Sequence, residues 1–80
     1  MRVQKSVKNV REARELLIEL SNTMECGETV KVLIKNINEI QRYVELIVKY
    51  GLSLIDVEEV NGDYYLIIEN RFGSRCMQGV

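Results

Sequence analysis

Val57-Glu58-Glu59-Val60-Asn61-Gly62-Asp63-Tyr64-Tyr65 is the stretch that settles how this chain folds. Asn61 and Gly62 both tolerate positive φ and lie between runs of β-branched and aromatic residues, the signature of a two-residue type I′ hairpin. Strands over 52–60 and 63–70 are therefore predicted to pair antiparallel. With Val60 opposite Asp63, Val57 meets Leu66 and Ile55 meets Ile68 on one face, while Asp56, Glu58, Tyr65 and Ile67 share the other.

Upstream of the hairpin, Gly51 closes a helix whose apolar stripe is Ile37, Ile40, Val44, Ile47 and Val48. Asn36-Ile37-Asn38-Glu39 reads as a capping box opening that helix. Tyr43, Leu46 and Tyr50 form an adjoining seam at spacings of three and four, predicted to be incompletely buried. Before it, residues 29–35 alternate, with Val30, Val32 and Ile34 to one side and Lys31, Leu33 and Lys35 to the other, as in a strand covered on one face. Gly27 suits the reversal into that strand because it takes a left-handed backbone without steric cost.

Asn9-Val10-Arg11-Glu12 forms another capping box, followed by Ala13, Leu16, Leu17, Leu20 and Met24 on one helical face, with Ile18 off the stripe. Val3, Lys5 and Val7 alternate weakly and predict a short first strand. The order is β-α-β-α-β-β. It implies an α+β fold: a two-layer sandwich with a four-stranded mixed sheet and two helices on one face. Residues 1–72 are predicted to form a single domain and 73–80, without periodicity, a flexible C-terminal tail.

Eighty residues, 46% hydrophobic, supply one core and no more. The net charge of -1 and the absence of histidine disfavour bulk electrostatic binding of nucleic acid and histidine-dependent chemistry. The longest apolar runs, 16–18, 32–34 and 66–68, are far shorter than a bilayer span, so no membrane partner is expected. Two distant cysteines without a signal-peptide run predict a reduced, cytoplasmic protein. No histidine, no Cys-x-x-Cys and no glycine-rich phosphate loop are present, so neither a metal site nor a cofactor is expected.

Three groups of residues could carry function. Lys8, Arg11 and Arg14 belong to a locally basic stretch, and the two arginines sit in the first turns of a helix, where the dipole disfavours cations. They predict a surface for an anion or an acidic partner, unless Arg11 is neutralised by Glu15 and Arg14 by an acid of the same helix. The seam of Tyr43, Leu46 and Tyr50 offers an interface for a partner protein or a second copy. Cys26 lies between Glu25 and Glu28, which oppose a thiolate; Cys76 has Arg71 and Arg75 nearby, which favour one, but lies in a segment with no predicted scaffold, so both read as spectator thiols.

Gly27-Glu28-Thr29 opening the second strand, Lys49-Tyr50-Gly51-Leu52 ending the second helix and the hairpin quoted above resemble the TusA/SirA-like sulfur-carrier family over residues 3 to 70. That resemblance implies a small cytoplasmic protein with the same order of elements. In the family, a Cys-Pro-x-Pro motif at the turn from first strand to first helix carries a persulfide between partner proteins, since a helix N-terminus stabilises a thiolate. Aligning Ala13, Leu16 and Leu20 with the family's first helix puts Asn9 at the cysteine and Val10 and Glu12 at the prolines. A slip of one residue brings Lys8 or Val10 there, and neither is a nucleophilic thiol.

The resemblance therefore implies a TusA-like domain without the carrier cysteine, a non-catalytic protein-binding or regulatory module with a protein partner or self-association. Two alternatives stand beside it. One is a sulfur carrier or sulfurtransferase using a displaced thiol, Cys26 or Cys76. The other is a small nucleic-acid-binding domain, against which the pI of about 5.4 weighs.

Overall fold

A computed structural model describes residues 3–35, 37–72 and 76. The chain forms β1 (Val3–Val7), α1 (Val10–Thr23), β2 (Thr29–Ile34), a single 3-10 turn (Ile37–Glu39), α2 (Ile40–Lys49), β3 (Leu52–Val60) and β4 (Asp63–Asn70). The sheet order is β1-β2-β4-β3. β1 pairs parallel with β2, whereas β4 is antiparallel to both of its neighbours. Both βαβ crossovers place their helices over one face, giving the expected α+β sandwich.

The core lies between that face and the helices. Val30, Val32 and Ile34 of β2 and Leu66 and Ile68 of β4 are buried against Ala13, Leu17 and Leu20 of α1 and Tyr43 and Ile47 of α2. Burying an aliphatic side chain of this size stabilises the fold by about 2 kcal/mol. Ile18 stays exposed, as its place off the stripe predicts. On the open face, Lys31 pairs with Glu58 at 3.2 Å and sits 5.2 Å above the centre of the Tyr65 ring. Ile67, on this face, aligns between Lys31 and Asp56 and is buried.

The hairpin has the expected register from Val60↔Asp63 to Asp56↔Ile67, and Asn61 and Gly62 take φ values of 54° and 86°. Beyond that point the prediction fails. The register shifts between Leu54 and Asp56, so that Ile68 aligns with Leu54 and not with Ile55. Ile55 is the extra residue of a β-bulge and is exposed. The shift turns Leu52 and Leu54 inward, so Leu52 is buried and Leu54 packs against the core. Without it both leucines would face solvent.

The second helix also departs from expectation. Its first turn is 3-10, α2 begins at Ile40, and its N-cap Glu39 makes no side-chain capping bond. The predicted cap at Asn36 lies outside the described residues. The helix is rotated relative to the predicted stripe: Tyr43 is 1% exposed and Val48 66% exposed. Aromatic bulk decides this, because burying a tyrosine ring removes more apolar surface from water than burying a valine.

Candidate functional site

The start of α1 is built by its own residues. Asn9 is extended at φ -156° and ψ 177°, and its side-chain oxygen accepts from the Glu12 N–H at 2.9 Å. The Glu12 carboxylate folds back, but it accepts from the Lys8 N–H at 2.9 Å, one residue beyond the predicted partner. Two N–H groups that would otherwise face outward are thus satisfied. A neutral amide covers the Glu12 N–H, and a carboxylate lies just before the helix.

Lys8, Arg11 and Arg14 are all exposed. Among the described residues neither arginine reaches a carboxylate within ion-pair distance, so the Arg11–Glu15 pair is not formed. At 100° per residue, Arg11, Arg14 and Ile18 fall within roughly 60° of one another on the outer side of α1. Ile18 is 41% exposed, so the helix presents an apolar centre beside two unpaired cations.

The seam behaves differently from its prediction. Tyr43 is core, and Leu46 and Tyr50 pack against that core, so Tyr43 cannot be contact surface and the three do not form an open patch. The Tyr43 hydroxyl is buried and has no hydrogen-bond partner among the described residues. Loss of solvation, reinforced by the carboxylates of Glu39 and Glu12, raises its pKa above the usual 10. The α1 start and the α2 start therefore share an electrostatic neighbourhood.

The two thiols read as spectators are instead bonded to each other. Cys26 and Cys76, 50 residues apart, form a disulfide with a Cα–Cα distance of 4.9 Å. The predicted tail of 73–80 otherwise lies outside the described residues, but Cys76 does have a scaffold. Asn70, fully buried, donates through Nδ2 to the Met24 carbonyl at 2.7 Å. Its N–H donates to the Glu28 carbonyl at 3.0 Å and its carbonyl accepts from the Gly27 N–H at 2.8 Å. Gly27 makes this bond with φ of 87°, which favours glycine in the turn.

Sequence reading missed this arrangement, in which Asn70 follows the inward-facing Leu66 and Ile68 at two-residue spacing. The bridge is remote from the capped helix start, since α1 has 14 residues and such a helix is about 21 Å long. A shallow groove runs along the second half of α1, where Lys5, Glu19 and Glu28 surround Leu20, Met24 and Val30. Its mixed charges do not define an anion site. Among the described residues no cluster of side chains could hold a metal, and no helix is long and apolar enough to cross a membrane. No family model and no curated protein matches the chain.

Proposed function

We propose that this chain is a non-catalytic protein-binding module built on a sulfur-carrier-like sandwich. The carrying observation is the capped start of α1, where Asn9 accepts from the Glu12 N–H, the Glu12 carboxylate lies on the Lys8 N–H just before the helix, and no thiol stands at the cap. The exposed Arg11, Arg14 and Ile18 support a partner with an acidic surface around an apolar contact. Rim charges of this kind set encounter rate and orientation.

The displaced-thiol alternative is disfavoured by the closeness of the cysteines. A persulfide on either sulfur would be attacked by its neighbour, forming the disulfide and expelling hydrogen sulfide, so the cargo would be lost before transfer. Nucleic acid is disfavoured because Tyr65, the aromatic ring on the open face of the sheet, is already occupied by Lys31.

Affinity capture from the native cells with the wild-type chain and with Arg11→Glu/Arg14→Glu tests the reading. The expected result is a protein retained by the first and lost by the second, at unchanged thermal stability. Retention of that protein by both, or capture of RNA in its place, overturns it. In parallel, the reduced chain treated with a persulfide donor should show no stable gain of a sulfur atom by intact mass.

A further inference from the structure

The binding role makes no use of the Cys26–Cys76 bridge, and the surroundings of the two sulfurs differ. Cys26 is exposed in the turn after α1, and Cys76 is half-buried. The Cys76 Sγ lies 3.3 Å from the Asn70 carbonyl oxygen and 3.9 Å from its Oδ1. Both oxygens carry partial negative charge. They repel a thiolate at that sulfur, whereas a neutral S–H can donate to the carbonyl. Neither oxygen can turn away cheaply, because the three bonds from Asn70 to Met24, Gly27 and Glu28 fix it between β4 and the turn.

Water reaches Cys26 and screens its charge. Its neighbours Glu25 and Glu28 oppose a thiolate, but Glu28 is partly spent on the Glu25 N–H, which its carboxylate accepts at 2.8 Å. Of the two sulfurs, Cys26 is therefore the one open to a reagent.

We propose that Cys26 and Cys76 form an oxidisable dithiol with a fixed division of labour, in which Cys26 reacts with an incoming low-mass disulfide and Cys76 resolves the adduct. In the first step Cys26 loses its proton to solvent. Its thiolate attacks one sulfur of the reagent, and the other half leaves as a thiolate that takes up a proton. In the second step Cys76 gives up its proton and its sulfur attacks the Cys26 sulfur, expelling the remaining half as a thiol. The reagent gains two electrons and two protons, and the protein gains the bridge. Cystamine is a small reagent of that class.

The test uses the reduced chain, Cys76→Ser and Cys26→Ser with cystamine, followed by intact mass. Adduct formation in Cys76→Ser should be about tenfold faster than in Cys26→Ser. In concentrated urea, where Asn70 no longer holds Cys76, the two rates should converge. The native-sequence chain should pass through a single adduct and end with none, two hydrogens lighter. Equal rates in the folded state, a faster Cys76, a rate difference that persists in urea, or a final product bearing two adducts would each overturn the assignment. The outcome does not depend on whether the α1 surface binds a partner.

Discussion

The two ends of α1 are organised on opposite principles. At its start the side-chain bonds among the described residues are local: Asn9 to Glu12 and Glu12 to Lys8 span three and four residues. At its end long-range bonds join the local ones: Asn70 reaches Met24 across 46 residues and Cys76 reaches Cys26 across 50. The first end is held by bonds within its own turn. The second ties the last strand and the chain beyond it to the turn, and it holds the sulfur chemistry that the first lacks.

That contrast can be broken most strongly at the bridge. Reduction, or Cys26→Ser, reopens a loop of 50 residues. In the chain-entropy account this lowers stability by roughly 4 kcal/mol, read as a drop in the urea midpoint at unchanged fold. Asn70→Ala follows, because it strips the Met24 carbonyl of its partner in a fully buried site. A cost of about 2 kcal/mol is expected from chemical denaturation, with hydrogen exchange accelerating at Gly27.

The start of the helix should be more forgiving. Asn9→Ala removes one cap and should cost about 1 kcal/mol in thermal unfolding. Asn9→Cys sharpens the comparison, for it puts a thiol on the helix N-terminus. In a background with Cys26→Ser and Cys76→Ser, alkylation at neutral pH should become roughly threefold faster when Glu12→Gln removes the opposing carboxylate. An unchanged rate would show that Glu12 is not what keeps that position hostile to anions.

The last effect has the opposite sign. Tyr43→Phe deletes a buried hydroxyl without a partner among the described residues and should stabilise the fold by about 1 kcal/mol. The raised pKa gives a pH test. Above pH 10 the unfolded chain loses the tyrosine proton while the folded chain keeps it, so wild-type stability falls as pH rises through the folded value. The phenylalanine variant should lose less stability over the same alkaline range.

What the sequence disclosed divides along the same line. The helix start and the type I′ turn were legible because each is fixed within four residues by side-chain chemistry or positive φ. The fold class followed from the order of such elements. The Asn70 tie and the disulfide were not legible, since nothing local to Cys76 or Cys26 announces a partner half the chain away. The rotation of α2 was hidden by an apolar surface broad enough for Val48 or Tyr43 to have faced inward, and side-chain bulk settled the choice.

β3 holds one residue more than its partner needs. Removing Ile55 would leave Leu54 beside Asp56 and rejoin two stretches that already face Ile68 and Ile67. Removing Glu58 instead would exchange inside for outside along half the strand. Length at this edge is thus tolerant at a single position, where a deletion leaves the hairpin's two faces as they are.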